Sequence, residues 1–178
     1  MEKIRIIKKA LVKTNGIGKK RINGDDFFGI ILITCLVLSL VFRGQFYRIH
    51  FLESVGWVAV LSTVVGALLL ISGCVLGYLS HEVFHKAMAA DGQIHQLLKT
   101  RPYKWVQHPF YLSLGLISAS FVLILKSWFM LAGWVIATAV LLNETHKEEK
   151  ELLEKFGDEY AAYQRKTGRF FPRVLDNL

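Results

Sequence analysis

Residues 110–142 of the chain read FYLSLGLISASFVLILKSWFMLAGWVIATAVLL, an apolar stretch too long for one ordinary membrane span. Lys126 and Ser127 interrupt this stretch near its middle. We therefore predict two short helices, at about 110–125 and 127–142, that form a hairpin with the Lys126 amine reaching back to the membrane surface. Helix tilt or local thinning of the bilayer compensates for their shortness.

Two more apolar blocks precede the hairpin, at residues 27–43 and 55–79. The second is long enough to cross a bilayer, and the first approaches that length when its flanks are included. Hydrophobic residues make up 53% of the chain and are gathered into these blocks, while the charged residues, 20%, lie between them. The sequence thus predicts an all-α, polytopic membrane bundle of about four spans in a single domain, residues 25–178.

The N-terminal segment, residues 1–24, is basic, with Glu2 as its single acid. The positive-inside rule predicts that this segment is cytoplasmic, and an even number of spans returns the C-terminus to the same face. The polar segments 80–108 and 143–178 then meet at the cytoplasmic end of the bundle. The net charge of +8 suits membrane lipids and membrane orientation. Since no aromatic-and-basic RNA motif accompanies this charge, no nucleic-acid partner is expected.

The sequence of the C-terminal segment 143–178, called the tail below, predicts an amphipathic cytoplasmic helix at about 144–167. Apolar and aromatic side chains recur there at three- and four-residue steps, namely Leu152, Leu153, Phe156, Tyr160 and Tyr163. Glu149 heads this apolar stripe. A carboxylate on an apolar face needs a cationic partner, which the ammonium group of a ligand would supply.

The segment before the hairpin, residues 97–112, reads LLKTRPYKWVQHPFYL. Pro109 suits the first turn of a helix, so His108 is expected at that helix's N-terminus. Free backbone N–H groups at such an end attract a carboxylate. Alternatively, His108 and Tyr111 are interfacial anchors, a role that amphipathic rings often fill.

Together, these two segments resemble the isoprenylcysteine carboxyl methyltransferase and phospholipid methyltransferase superfamily of membrane enzymes. The family pattern is similar to G-P-Y-x-x-x-R-H-P-x-Y-x-G, a helical hairpin, and E-E-x-x-L-x-x-x-F-G-x-x-Y-x-x-Y ending near R-x-x-P. The matching residues here are Pro102, Tyr103, His108, Pro109, Tyr111, Glu148, Glu149, Leu152, Phe156, Gly157, Tyr160, Tyr163 and Pro172. Their order and spacing agree over roughly residues 97–172.

The resemblance implies S-adenosylmethionine as the cofactor, held without a Rossmann fold, and a lipophilic acceptor, isoprenoid or phospholipid-like, that enters sideways from the bilayer. The cofactor residues that it implies are His95, Gln96, Leu97, Leu98, Tyr103, His108, Pro109, Phe110, Tyr111 and Glu149. The methionine carboxylate suits the helix end at Pro109, the ammonium suits Glu149, and the sulfonium suits an aromatic face such as Tyr103.

Methyl transfer is a displacement at carbon that needs alignment and a dry pocket, so the resemblance requires no acid–base dyad and no metal. We accordingly assign no catalytic residue. Three residues are expected to position the reactants, namely Tyr103, His108 and Glu148. The oligomeric state cannot be inferred from the sequence.

The chain departs from the family pattern at Arg101, Gln107 and Ser113, where the family has glycine, arginine and glycine. In the branch that acts on prenylated cysteine, an arginine four residues before the acid pair helps to recognise the substrate, and that position here is Glu144. We expect Glu144 and Glu148 to face the acceptor. Since Glu144 repels a carboxylate unless a neighbouring cation compensates, amine and hydroxyl acceptors remain open.

His81, Glu82 and His85 form a literal H-E-x-x-H, the pattern of zinc proteases. A catalytic zinc needs a third protein ligand, for which Asp91 and His95 are candidates. The simpler interpretation is that the histidines lie at the membrane interface and continue the second helix. A membrane zinc metalloprotease and a non-catalytic membrane scaffold therefore stand as alternatives to the methyltransferase. A sterol reductase is a further one, although the chain is short for that class.

Overall fold

The fold is known from a computed structural model that describes residues 24–41, 48–87 and 95–173. Within these ranges every regular element is a helix, which confirms the all-α class. The helices are α1 (Gly24–Val41), α2 (Phe51–Ser54), α3 (Gly56–Ala87), α4 (Pro109–Leu125), α5 (Trp128–Phe156) and α6 (Asp158–Lys166). The basic segment 1–24 lies outside the described residues apart from Gly24.

The predicted hairpin is the centre of the bundle. Helix α4 ends at Leu125, Lys126 adopts the left-handed conformation, and α5 begins at Trp128. Helix α3 packs on α4, and α1 packs on α5. We call the end of the bundle that contains the α4–α5 connection the turn end, and the opposite end, which contains the segment 95–108, the motif end.

Helix α1 runs toward the turn end. The Ser39 and Ser127 hydroxyls are 2.8 Å apart there, and Phe28 packs near Leu141 further along the bundle. The N-terminus of α1 therefore lies toward the motif end, together with the C-termini of α3 and α5. This places residue 24, where the basic segment ends, toward the motif end.

Helices α3 and α5 are long and apolar enough to cross a membrane. In the most apolar 18-residue stretch of each helix, only 17% and 28%, respectively, is buried inside the protein, so most of this apolar surface faces outward. A helix of a water-soluble core would hide such a surface. The two helices therefore indicate a membrane protein. The apolar part of α1 and all of α4 are shorter.

Small residues allow α3 and α4 to approach closely. A Cβ added at Gly73 would lie 2.8 Å from Ile117 Cγ1 and 3.0 Å from the Ser113 carbonyl oxygen. Gly66 is equally close to Ile124 Cγ1. Close backbone approach of this kind is a usual source of packing energy between helices in lipid.

Helix α3 continues past the apolar block to Ala87, in line with the interpretation that the H-E-x-x-H histidines extend the second helix. The added turns contain neither glycine nor proline and are supported by the Glu82–Lys86 ion pair at 2.6 Å. The structure corrects one predicted boundary. The second hairpin helix does not end near residue 143, where the tail helix of 144–167 was predicted to begin separately. Helix α5 runs on to Phe156, since no helix breaker lies between residues 134 and 156, and the break comes at Gly157, where φ is +51°.

The length of α5 explains how the acid pair reaches the motif end. Glu149 lies 21 residues after Trp128, which at ~1.5 Å per residue corresponds to ~31 Å along the helix axis. That distance is close to the thickness of a bilayer's hydrocarbon core, ~30 Å. Glu149 therefore stands about one bilayer core away from the turn end.

Candidate functional site

The tail is attached to the segment before α4 by backbone pairing at the motif end. Val106 and Gly168 form a parallel bridge, in which Gln107 N–H donates to the Gly168 carbonyl at 2.8 Å and His108 N–H donates to the Arg169 carbonyl at 3.2 Å. The Gln107 side-chain amide donates to the Thr167 carbonyl at 2.5 Å. This pairing brings the residues after α6 against the N-terminus of α4.

His108 is buried at the start of α4, with its side chain 3% exposed, between the two acids of the predicted pair. Its Nε2 lies 3.2 Å from Glu149 Oε1, and its Nδ1 lies 3.5 Å from Glu148 Oε2. Glu149 accepts a further hydrogen bond from Arg169 Nη2 at 2.5 Å. We call His108, Glu148, Glu149 and Arg169 the ion cluster.

The two acids have different surroundings. The Glu149 side chain is 11% exposed and contacts both Arg169 and His108, which satisfies its need for a cationic partner within the chain. The Glu148 side chain is 43% exposed and faces open space beside His108. The structure therefore presents Glu148, rather than Glu149, to an incoming molecule.

A large cavity of about 380 Å³ opens beside the ion cluster. Its walls come from the end of α3, the segment before α4, the first turn of α4, and α5. The lining residues are Ser80, His81, Phe84, His85, Tyr103, Gln107, His108, Pro109, Phe110, Tyr111 and Glu148. A volume above ~300 Å³ with aromatic walls and a few convergent polar groups is typical of a small-molecule site.

A small cavity of about 130 Å³ adjoins it. The two cavities share Phe84, Tyr103, Gln107 and Glu148. The small cavity is otherwise mostly apolar and is lined by Gln96, Leu97, Leu98, Leu152, Lys155, Phe156, Tyr160 and Tyr163. An elongated ligand with a polar end and a flat or apolar end could extend across both.

Three tyrosines line the small cavity, and one of them, Tyr103, also lines the large cavity. Burial, with a contribution from the Glu148 charge, raises the pKa of Tyr103 to about 12. Burial and the Glu149 charge raise the pKa of Tyr160 to about 12 as well, and burial also raises the pKa of Tyr163. Tyr163 Oη donates to the Tyr103 carbonyl at 2.6 Å. The three phenols are therefore neutral groups at neutral pH, suited to stacking and hydrogen bonding.

Most of the residues predicted to hold a cofactor meet around these cavities. Gln96, Leu97 and Leu98 line the small cavity, and the stretch from His108 to Tyr111 lines the large one, with Tyr103 on both. His95 is exposed and, like Glu149, is not among the residues that line either cavity. The cofactor roles of His95 and Glu149 stay predictions.

Glu144, predicted to face the acceptor, is 2.6 Å from Lys147 Nζ and lines neither cavity. Its role also stays a prediction. Glu148, the other predicted acceptor residue, lines both cavities.

The H-E-x-x-H motif lies at the end of α3, in agreement with its interpretation as a continuation of the second helix. His81 and His85 line the large cavity, whereas Glu82 pairs with Lys86 and is not a lining residue. Within residues 24–41, 48–87 and 95–173, no group of three potential ligands could hold a metal ion. Asp91, a candidate third ligand, lies outside the described residues. The geometry therefore does not favour the zinc protease.

Sequence reasoning missed two parts of this site. Arg169 stands at the arginine of the closing R-x-x-P pattern but was assigned no role from the sequence, although a carboxylate on an apolar face needs a cation nearby. The cavity wall from α3, which includes Phe84 and the two histidines, was set aside as interfacial. Neither contact has a local signal, because each joins residues far apart in the chain.

No family model matches the chain. The chain is 28% identical over 161 residues to the protein-S-isoprenylcysteine O-methyltransferase of Saccharomyces cerevisiae, an alignment that covers 85% of this chain and 65% of the yeast protein. It is also 37% identical over 79 residues to an uncharacterized protein of Schizosaccharomyces pombe, covering 40% of this chain and 22% of that protein. The chain thus spans less than two thirds of either relative. The first similarity supports the family resemblance seen in the motifs.

Proposed function

We propose that the chain is a membrane-embedded, S-adenosylmethionine-dependent methyltransferase that acts on a lipophilic acceptor. The observation that carries this proposal is the pair of joined cavities at the motif end, which both segments of the family pattern line. The distant similarity to a yeast methyltransferase supports the same class. Fold and membrane location alone would fit many activities.

The lining residues fit the chemical groups of the cofactor, which supplies an electrophilic methyl group when bound. The backbone N–H groups at the start of α4, beside Pro109, suit a carboxylate. Tyr103, Phe110 and Tyr111 offer aromatic faces to a sulfonium. Glu148 suits the ammonium better than Glu149 does, because Glu149 already contacts Arg169 and His108.

The chain's own residues then bind, orient and exclude water. Arg169 and Glu149 hold His108 against Glu148, so the ion cluster fixes the polar wall of the large cavity. Phe84 and Phe110, both on the cavity wall and each about 40% exposed, give an acceptor an apolar approach. Alignment in such a pocket can account for most of the acceleration of a displacement reaction.

We further infer that α1, α3, α4 and α5 all cross the membrane, with the motif end in the cytoplasm. Alternation of the four helices brings residue 24, at the start of α1, and the tail to the same end as the cavities. Among the described residues, most lysines and arginines lie at that end, whereas Arg48 and Lys126 mark the turn end. The positive-inside rule favours this orientation.

Methyl transfer from radiolabelled S-adenosylmethionine in membranes that contain the protein tests the function. We expect label in the organic phase, and we expect Glu148→Gln to reduce both transfer and cofactor affinity by about tenfold, the usual effect of losing ~1.4 kcal/mol of charge pairing. Glu151→Gln, an exposed acid on the same helix, is the matched control and should leave both unchanged.

Binding must be measured on the same sample, so that a missing acceptor is not mistaken for a missing activity. Folded protein that fails to bind S-adenosylmethionine at millimolar concentration would overturn the methyltransferase proposal and favour the membrane scaffold. Binding without transfer would call for a wider set of acceptors before the activity is judged.

A further inference from the structure

The large cavity has a feature that methylation of a carboxylate does not require, namely the two histidines at the end of α3. His81 and His85 lie one helical turn apart, with ring centroids separated by 6.0 Å, and both line the cavity. The third lining histidine, His108, is held between the two acids of the ion cluster. The family pattern begins after this part of the chain and gives the α3 histidines no role.

We propose that His81 and His85 accept the proton that the acceptor loses, and that the acceptor is therefore a lipophilic amine or alcohol rather than a carboxylate. This inference rests on the proposed function. It assigns a proton-transfer role to the pair of residues that the sequence presented as a zinc motif.

The proton balance distinguishes these acceptor classes. When an amine or hydroxyl is methylated, one carbon–sulfur bond breaks, one carbon–nitrogen or carbon–oxygen bond forms, the thioether product leaves neutral, and the acceptor loses one proton. An imidazole nitrogen can take this proton and pass it to water, because imidazole exchanges protons near neutral pH. A carboxylate already lacks that proton at neutral pH and needs no base.

The charges around the large cavity favour the same acceptors. Glu148 is a lining residue, and no lysine or arginine is among the residues that line this cavity. Lys147, the cation nearest in sequence, is 2.6 Å from Glu144. With Glu148 paired to the cofactor ammonium, the wall of the large cavity offers no lysine or arginine to pair with a carboxylate acceptor, whereas a neutral amine or hydroxyl needs no such partner.

Several titratable groups share the space with the two histidines. Glu148 comes from α5, and His108, Tyr103 and Tyr111 come from α4 and the segment before it. On α3 itself, Glu82 and Lys86 pair with each other at 2.6 Å. Glu148 and His108 could also take a proton, and the Glu148 variant is included in the test.

The test compares His81→Gln/His85→Gln with the parent in the radiolabel assay between pH 6.5 and pH 9, with a long-chain amine, alcohol and fatty acid as acceptors. We expect about a 100-fold loss at pH 7 with the amine or the alcohol, the usual contribution of general base catalysis. With the amine, the loss should shrink as the pH rises, because the amine then deprotonates without help. Glu148→Gln should instead lower transfer at every pH.

Glu82→Gln is the matched control, because it changes the same motif at a residue that does not line the cavity. It should leave transfer unchanged, as should a metal chelator. The double variant should still bind S-adenosylhomocysteine as the parent does, which separates a lost base from a lost fold.

A second readout does not depend on turnover. In protein with ¹³C-labelled histidine and saturating S-adenosylhomocysteine, the His81 and His85 signals, assigned from the single variants, should shift saturably with the long-chain amine or alcohol and not with the fatty acid. Two results would overturn this inference and leave the proposed function standing. One is equal transfer by the parent and the double variant, and the other is label that mild alkali releases as volatile methanol, which indicates a methyl ester. Failure to bind the cofactor at all would remove both.

Discussion

The two ends of the bundle differ in how deeply their polar groups are buried. At the turn end, Lys126 Nζ lies 3.2 Å from Thr63 Oγ1 in an exposed contact, and Arg48 and Glu53 form an ion pair with side chains 50% and 26% exposed. At the motif end, His108 and Glu149 have side chains only 3% and 11% exposed.

This difference supports the choice of the motif end as the candidate site. Exposed polar contacts at a membrane surface cost little and stabilise little, whereas a buried ion cluster requires desolvation and complete partnering. Such clusters are frequent at functional sites, and here two members of the cluster, His108 and Glu148, line the large cavity. The turn end closes the hairpin, and the motif end holds the candidate site.

Among single substitutions that compare the two ends, the largest effect is expected at the motif end from Glu149→Gln. This change weakens the contact with Arg169 and the contact with His108, and one hydrogen bond to a charged group is worth ~1.5–3 kcal/mol. Methyl transfer should therefore fall about 10- to 100-fold. Trypsin should also cleave the released tail after Arg165 or Lys166 faster than in the parent.

The matched control for this change is Glu151→Gln, which removes an exposed charge from the same helix. It should alter neither transfer nor tail cleavage. If Glu149→Gln behaves like Glu151→Gln, the ion cluster does not hold the tail, and the contrast between the two ends loses its energetic basis.

The helix contact that joins the two ends provides the next prediction. Gly73→Ala would place a methyl group 3.0 Å from the Ser113 carbonyl oxygen and 3.1 Å from the Ile117 backbone nitrogen, which α4 can relieve only by moving. Overpacking of this kind costs ~1–3 kcal/mol. The measurement is the thermal unfolding midpoint in detergent.

Gly115→Ala makes the same chemical change on α4, where a Cβ would meet nothing within 4 Å. It should leave the unfolding midpoint unchanged or raise it slightly, since alanine has the higher helix propensity. Equal midpoints for the two variants would mean that α3 and α4 are not in close contact along this face.

The pH dependence of stability should also distinguish the motif end. The pKa of Tyr103 and the pKa of Tyr160 are both raised to about 12, mainly by burial. The unfolded chain loses these protons near pH ~10 and the folded chain only near 12, so stability is fully present below about pH 10 and declines between the two values.

Unfolding midpoints measured from pH 9 to pH 11.5 test this expectation. Tyr160→Phe removes one of the titrating groups, and its midpoint should therefore decline less steeply with pH than that of the parent. A parent midpoint that does not change over this range would show that the phenols are solvated in the folded protein.

The sequence predicted the features that depend on neighbouring residues. Lys126 within an apolar run indicated the hairpin connection, and Pro109 indicated the start of α4. The end of α5 was missed because the change from apolar to charged residues near Asn143 resembles a helix end, although neither glycine nor proline lies between residues 134 and 156. Composition marks where a helix leaves the membrane, and it does not mark where the helix stops.

The candidate site was predicted as a set of residues but not as a geometry. The contact between Arg169 and Glu149 depends on the turn at Gly157 and on the pairing of Val106 with Gly168. Gly157 is itself a local signal of a helix break, but the pairing of Val106 with Gly168 joins distant segments and has no signal in the local sequence. The large cavity likewise needs walls from three separate parts of the chain.

The smallest effect is expected at the turn end, from Lys126→Asn. Lys126 has φ 49° and ψ 44°, a left-handed conformation that asparagine tolerates better than other side chains with a Cβ do. The variant loses the exposed Nζ contact with Thr63, which is worth little, so stability should change by less than about 1 kcal/mol. Lys126→Ala, which lacks the local hydrogen bonding of asparagine, should be the less stable of the two by a few tenths of a kcal/mol.

Both variants should transfer methyl groups at the parent's rate, because the connection lies about one bilayer core away from the ion cluster. A loss of transfer in Lys126→Asn with unchanged unfolding would show that the turn end takes part in function.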